Sequence, residues 1–387
     1  SSGKETPKLK LYGKKYFPHG RLLVSRSETH HFAVQTNDKR HKTYFSIHGE
    51  NKRGWHLNEG SIYYATKTQK IRKSTQYAFP WENVMGTTYI IGKHAIKEIK
   101  ASSKQCSLGS LGDLGVSGVR FRQNGIRALK SFHAFEDLLV IIVSNIRRKF
   151  EWQWKYRKSP VFTCLLTYET KSHLSSPPKS REDIACLKRS IYTKSKDTFA
   201  TNFGCKDLQA RVLHLNEQSS ESSQPELVEE IQCIQIAPKR VNEKYPPEDE
   251  ILTATWNVLK VNHGNKPKNQ SLAAILGFGL SQEQFNKKLR KTDFDVNFGS
   301  FGHNIIWSQP HPKMEDCRIL SSTSVFFKSG SMETGTLDRP GTMIWKAVVE
   351  EKNEPLRAQL VKSLKIFIAP EITDNILQKD KFPLHIT

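Results

Sequence analysis

The run Leu138-Leu139-Val140-Ile141-Ile142-Val143 constrains this chain more than any other feature. Six consecutive apolar residues fall far short of the ~20 that span a bilayer, and they suit a buried strand. Residues 161–167 form a second buried-strand candidate. Short strand-like runs surround them at 21–26, 31–35, 42–48, 61–66, 87–91 and 116–122, separated by turn residues. In the last of these, Val119 and Phe121 alternate with Arg120 and Arg122, which predicts a half-exposed strand with a basic outer face. Helix signals are few. Ser281 and Gln284 form a capping-box pattern that opens a helix over 281–291. Residues 184–189 are a weaker candidate, and an apparently helical stretch over 346–362 is interrupted by Pro355. Gly109, Gly112, Gly115 and Gly118 predict a turn or bulge. Many short strands, long polar loops and few short helices predict an all-β sandwich or barrel.

At 37% apolar residues the chain can bury a substantial core. Six widely spaced cysteines without a Cys-x-x-Cys pair predict reduced thiols, as in the cytosol or nucleus. The polar start Ser1-Ser2-Gly3-Lys4-Glu5 gives no signal peptide, and no stable membrane insertion is expected. The formal charge of +22 lies in one half of the chain. Residues 1–200 hold 37 Lys and Arg against 15 Asp and Glu, whereas residues 201–387 hold 23 of each. Such asymmetry points to a polyanionic partner.

The chain shows no convincing catalytic constellation. Gly86 to Gly92-Lys93-His94 misses the phosphate-loop spacing, and no Gly-x-Ser-x-Gly or His-Glu-x-x-His occurs. Asp293 and Asp295 share one face of a strand, but no Glu or Lys supports a metal-dependent nuclease there. Adjacent His30 and His31 face opposite ways on a strand, which disfavours a metal pair with Glu28. The expectation is therefore a non-enzyme without cofactor or metal.

Two segments carry the candidate nucleic-acid contacts. In the basic arm over 1–20, Lys8, Lys10, Lys14 and Lys15 alternate with Leu9, Leu11, Tyr12, Tyr16 and Phe17. In the segment 147–158, Arg147, Arg148, Lys149, Lys155 and Arg157 interleave with Phe150, Trp152, Trp154 and Tyr156. At even spacing those aromatics share one strand face. They fit either a core strand with a solvated basic face or a stacking platform for single-stranded nucleic acid.

Three stretches together resemble a parvovirus capsid protein of the densovirus type. They are Tyr77-Ala78-Phe79-Pro80-Trp81-Glu82-Asn83, the strand from Val116 to Phe132, and Arg339-Pro340-Gly341-Thr342-Met343-Ile344-Trp345-Lys346. The resemblance implies an eight-stranded antiparallel jelly roll, a β-sandwich with long surface loops, occupying 21–387 as a single domain behind the arm. It further implies a sixty-copy icosahedral T=1 shell that packages single-stranded DNA and engages a host cell receptor. The protein would reside in the virion, and in the host nucleus during assembly. The alternative is a nucleic-acid-binding viral matrix or nucleoprotein. The chain has no His-Asp dipeptide, so the phospholipase that parvoviruses often carry is not expected.

Overall fold

The computed structural model describes residues 12–41, 56–69, 76–91, 102–148, 158–170, 203–215, 225–236, 252–298, 302–313 and 317–327. It also describes, mainly as backbone, residues 191–192, 330–332, 335–337, 341–350, 364–370 and 384–386.

Four strands form an antiparallel meander: β1 (Gly13–Phe17), β2 (Leu22–Arg26), β3 (His30–Gln35) and β4 (Ser61–Thr66). After a 3-10 turn at Trp81–Asn83 comes β5 (Thr88–Ile90). Consecutive hairpins then join β6 (Lys104–Leu111), β7 (Leu114–Gln123), β8 (Ile126–Phe135) and β9 (Leu138–Arg148). Next follow β10 (Val161–Glu169), β11 (Ile191–Tyr192), β12 (Phe203–Cys205), β13 (Leu208–Leu215), β14 (Glu226–Ile236), β15 (Leu252–Asn262) and β16 (Gln270–Phe278). The helix α1 (Gln282–Lys291) leads into β17 (Asp293–Phe298), β18 (Gly302–Pro310) and β19 (Cys317–Phe326). The last strands are β20 (Gly330–Met332), β21 (Gly335–Leu337), β22 (Gly341–Glu350), β23 (Leu364–Pro370) and β24 (Leu384–Ile386). Beyond the meander they form a five-stranded sheet (β11-β14-β15-β10-β5), a seven-stranded sheet (β12-β13-β16-β9-β8-β7-β6), a six-stranded sheet (β17-β18-β19-β22-β23-β24) and a short hairpin.

The apolar run explains how these sheets stack. On β9, Leu139, Ile141 and Val143 join β16 residues Leu272, Ala274 and Leu276 in one core. That core also holds Leu23, Phe32, Val34, Ile62 and Tyr64 of the meander, and Val161, Leu166, Leu259 and Val261 of the five-stranded sheet. The alternate residues Leu138, Val140 and Ile142 enter a second core with Ile305, Trp307, Val325 and Ile344 of the six-stranded sheet and Phe285 of α1. The seven-stranded sheet is thus the middle of three layers, and the first six positions of β9, Leu138 to Val143, are all apolar because both its faces are buried there. Each such side chain contributes roughly 1.5–3 kcal/mol.

The chain is mostly β-sheet with one α-helix among the described residues, as expected. Its strands make several sheets in three layers rather than the eight strands of one jelly-roll sandwich, because the middle sheet has apolar residues on both faces to cover. The helix α1 carries the expected capping box, with Ser281 and Gln284 each bonding the other's backbone N–H. The helical reading of 346–362 is corrected at its start: Lys346 to Glu350 continue β22, where β-branched Val348 and Val349 favour a strand. Gly112 does sit in the β6–β7 turn at φ 58°, but Gly109, Gly115 and Gly118 lie within strands. A Cβ on Gly118 would stand 2.2 Å from Val325 Cγ1, so that glycine lets the outer sheet close on the middle one. His30 and His31 do face opposite ways: His30 is buried, with Nδ1 2.9 Å from Ser27 Oγ, while His31 is exposed. The predictions over 42–48, 184–189 and 351–362 fall outside the described residues. No helix among the described residues is long and apolar enough to cross a membrane.

Candidate functional site

A dense set of buried polar side chains lies where β3 and β4 are joined. Thr36, Asn37, Asp38, His56, Asn58 and Glu59 are all buried there. Polar groups out of water cost free energy unless they are bonded, and here most are. Asp38 is the hub. It accepts from Arg21 Nε at 2.9 Å and Nη2 at 2.6 Å, from the Arg40 backbone N–H at 2.9 Å, and from Arg40 Nη2 at 3.0 Å. His41 Nδ1 lies 3.0 Å away on the other carboxylate oxygen. Arg21 is buried and left-handed at φ 51°, whereas the Arg40 and His41 side chains keep 34% and 21% of their exposure. Two guanidiniums and an imidazole thus gather on one carboxylate.

The other end of the connection is braced from below. Asn37 Nδ2 donates to Asn58 Oδ1 at 3.4 Å, tying the two ends together. His56 has φ 60° and places Nδ1 2.6 Å from Glu59 Oε2. Backbone held at such angles by non-glycine residues concentrates at functional sites. Lys130, fully buried on β8, donates from Nζ to the Glu59 carbonyl at 2.9 Å and to the Gly86 carbonyl at 2.6 Å. Its ammonium lies 5.0 Å from the Phe121 ring and 5.8 Å from the Phe132 ring. Burial pushes its pKa down to about 7, against the opposing pull of Glu59. The Tyr89 ring lies 5.6 Å from that of His56, and its hydroxyl bonds Asn83 Oδ1. Asn83 Nδ2 then donates to Gln232 (3.2 Å), Gln232 to Glu230 (3.0 Å), and Lys260 Nζ to the same Glu230 oxygen (2.8 Å). The buried Lys260–Glu230 pair of the five-stranded sheet therefore anchors a polar chain that reaches the ring beneath His56.

The expected contact residues lie elsewhere. Lys14 is half-buried and donates to the Glu136 carbonyl at 2.7 Å, at the β8–β9 turn. Burial pushes its pKa down to about 8. Lys15 is exposed, 5.8 Å from the Phe17 ring. Arg147 and Arg148 are at the opposite end of β9, where Arg148 Nη1 donates to the Asn265 carbonyl at 3.0 Å. The structure does not bring Lys14 and Arg147 together. Lys8, Lys10, Lys149, Trp152, Lys155 and Arg157 fall outside the described residues. Asp293, by contrast, pairs with Arg318 at 2.9 Å on an exposed strand face, as a surface carboxylate does. Sequence reasoning passed over Arg21, Asp38, Arg40, His41, His56, Glu59 and Lys130. For Lys130 a signal existed: it shares the alternation of Ile126, Ala128, Phe132 and Ala134, all of which face the core. The described residues contain no group of three His, Cys, Asp or Glu arranged to hold a metal ion.

The layered β-sheet body has counterparts among solved structures of polysaccharide lyases. Residues 12–165 match the family model of polysaccharide lyase family 8, super-sandwich domain, a span that runs from β1 into β10 and includes every residue around Asp38, His56 and Lys130. The fold is similar to that of a Paenibacillus xanthan lyase, with TM-score 0.56 and 15% identity over 92% of this chain and 33% of that one. It is also similar to the Streptomyces coelicolor A3 chondroitin AC lyase in complex with chondroitin sulphate, with TM-score 0.62 and 15% identity over 95% of this chain and 45% of that one. A chondroitinase AC lyase studied as enzyme–oligosaccharide complexes gives TM-score 0.54 and 14% identity, over 92% and 52% of the two chains. The chain thus spans between a third and about half of the length of these structures. No curated protein sequence matches it.

These findings overturn the parvovirus resemblance and what followed from it. The matched family and the neighbouring folds are polysaccharide lyases, not capsid proteins, and they are enzymes rather than shell subunits. The sixty-copy assembly, the packaged single-stranded DNA, the host receptor, the virion and nuclear location and the nucleoprotein alternative all fall with it. The three stretches that suggested a capsid were short and individually weak. Tyr77 and Trp81, for instance, pack on a small core around Trp256 and Phe79, which any β-sandwich requires.

Proposed function

We propose that this chain is the layered-sheet part of a polysaccharide lyase, a super-sandwich that acts on an acidic polysaccharide. The match of residues 12–165 to the lyase family carries this reading, because it coincides with the connection where buried polar groups and strained backbone concentrate. The charge supports it independently. The excess of +22 lies in the first 200 residues, which contain the matched span, and an acidic polysaccharide is a polyanion.

A lyase breaks a glycosidic bond by elimination. A base removes the proton on the carbon beside the uronate carboxylate, the oxygen at the neighbouring carbon departs with its bond electrons and takes up a proton, and a carbon–carbon double bond remains. The proton becomes removable only when the carboxylate charge is neutralised, a role for fixed cations. Arg40 and His41, oriented by Asp38 and standing at the surface, are placed to hold an acidic group of the sugar. The purified chain, incubated with chondroitin sulphate and with xanthan, is expected to bind at least one of them and to generate the ultraviolet absorbance of an unsaturated uronate. Neither binding nor absorbance with either polymer would overturn the proposal.

A further inference from the structure

We infer that Arg122, Arg127 and Arg147 form an accessory binding ladder for the acidic polysaccharide, apart from the β3–β4 connection. The three face one another directly across β7, β8 and β9: Arg122 pairs with Arg127, and Arg127 with Arg147. All three are exposed. Neighbouring strands lie about 4.8 Å apart, so the ladder sets three guanidiniums across about 10 Å.

A register irregularity builds this row. Leu138, Val140 and Ile142 face the six-stranded sheet, so strict alternation would turn Arg147 the other way. The β8–β9 register shifts between Arg127 and Leu129, and Asn145 takes a left-handed φ of 52°. The extra residue sends Ile146 into the core shared with the meander, and Arg147 out beside Arg127. The Asn124-Gly125 turn, with φ of 50° and 84°, brings Arg122 into the same row. Beyond Gly118, against which Val325 packs, Arg120 and Arg122 extend in the direction of that turn.

Like charges directly opposite on neighbouring strands repel, at roughly 0.2–1 kcal/mol per pair. Among the described residues no carboxylate pairs with them. Asp113, Glu136 and Asp137 are the acidic residues of 102–148, and all three lie at the opposite strand ends. Among the described residues the side chains of Arg122, Arg127 and Arg147 have no ion-pair partner. Regularly spaced, unneutralised cations fit a ligand with regularly spaced anions, and the sulphates and carboxylates of an acidic polysaccharide supply them. The ladder lies towards the end of the middle sheet that the β3–β4 connection also approaches: Thr36 Oγ1 is 3.5 Å from Ser117 Oγ, five residues before Arg122 on β7. That separation is roughly 17 Å along the strand, and the odd spacing turns the ladder to the other face of the sheet, so the two places bind independently.

This inference rests on the lyase reading, and the test separates the two. Chondroitin sulphate binding is measured by titration calorimetry across a range of salt for the full chain, for Arg122→Gln/Arg127→Gln/Arg147→Gln, and for the equal-charge control Lys287→Gln/Arg290→Gln/Lys291→Gln on α1. The ladder variant is expected to bind about tenfold more weakly at low salt, with a salt dependence shallower by about two to three counterions. The control is expected to stay near wild type. Because the variant relieves repulsion, its melting temperature should not fall, and a fall would contradict the unneutralised row. Equal losses in ladder variant and control reduce the effect to net charge and overturn the ladder. So does wild-type affinity in the ladder variant. A wild type that binds single-stranded DNA but not chondroitin sulphate overturns the polysaccharide reading itself.

Discussion

Lys130→Met tests whether an ammonium is held under the β3–β4 connection against its own hydration. Two effects oppose. Removing the ammonium leaves the carbonyls of Glu59 and Gly86 without their donor, at about 1–3 kcal/mol each. It also removes a group whose pKa burial pushes from 10.5 down to about 7. A tenfold loss of proton affinity is worth about 1.4 kcal/mol, so at neutral pH the buried lysine weakens the fold by roughly 4–5 kcal/mol. The two nearly cancel there, and Lys130→Met should change stability little at about pH 7. They do not cancel at higher pH. The folded pKa lies below the unfolded one, so the stability linked to Lys130 is fully present above 10.5 and is lost as pH falls to about 7. At about pH 9.5 the protonation penalty has shrunk to roughly 1.4 kcal/mol, and the methionine variant should then be less stable than wild type by about 3 kcal/mol more than at pH 7. Lys14, pushed down to about 8 by burial, titrates in the same range but in both proteins alike. Urea unfolding of the two proteins across this pH range measures the difference directly. A difference that stays constant with pH would refute the buried, proton-losing lysine.

Asp38→Ala strips the buried Arg21 of its carboxylate and should cost about 3–5 kcal/mol, while Arg40→Ala, on a more exposed side chain, should lower polysaccharide affinity with little change in melting temperature. Acid should loosen the contact between the middle and six-stranded sheets. His133 and His303 are buried there in a chain that runs from Thr323 through His133, Ser131 and His303 to Ser144 with spacings of 2.7–2.8 Å. Burial pushes His133 down to about 3 and His303 well below its usual value, so the stability they carry is present above about 6.5 and is lost as pH falls towards 3. Melting temperatures should drop across that window, and His133→Gln/His303→Gln should flatten the drop; an unaltered acid slope in the double variant would count against it. Glu230→Leu leaves the Lys260 ammonium buried alone and should cost about 3–5 kcal/mol, whereas Glu230→Leu/Lys260→Met should recover most of the loss. A double variant as unstable as the single one would show that the buried charge is not what matters.

Local structure was legible in the residues wherever one short pattern decides it. The Ser281–Gln284 box, the alternation of Val119 and Phe121 with Arg120 and Arg122 in β7 and the apolar run in β9 each act over a few residues, and each appears in the structure. The stacking of sheets was not legible, because an apolar strand states that both its faces are covered but not by what. The covering residues come from Leu23, Phe32 and Val34 on one side and from Trp307 and Val325 on the other, more than a hundred residues away along the chain. The candidate site was hidden for a related reason. Asp38 draws Arg21 from the turn before β2 and Arg40 and His41 from its own loop, a set with no fixed spacing. Arg147 was singled out from its basic surroundings, but its neighbours across the strands depend on the irregularity at Asn145, which no periodicity announces.

The most direct test of the account is a crystal structure of this chain with a chondroitin sulphate oligosaccharide. The account predicts an acidic group of the sugar within hydrogen-bond reach of Arg40 and His41, above the Asp38 carboxylate. A sugar bound only away from the β3–β4 connection, or none bound at concentrations that saturate the chain in solution, would contradict it.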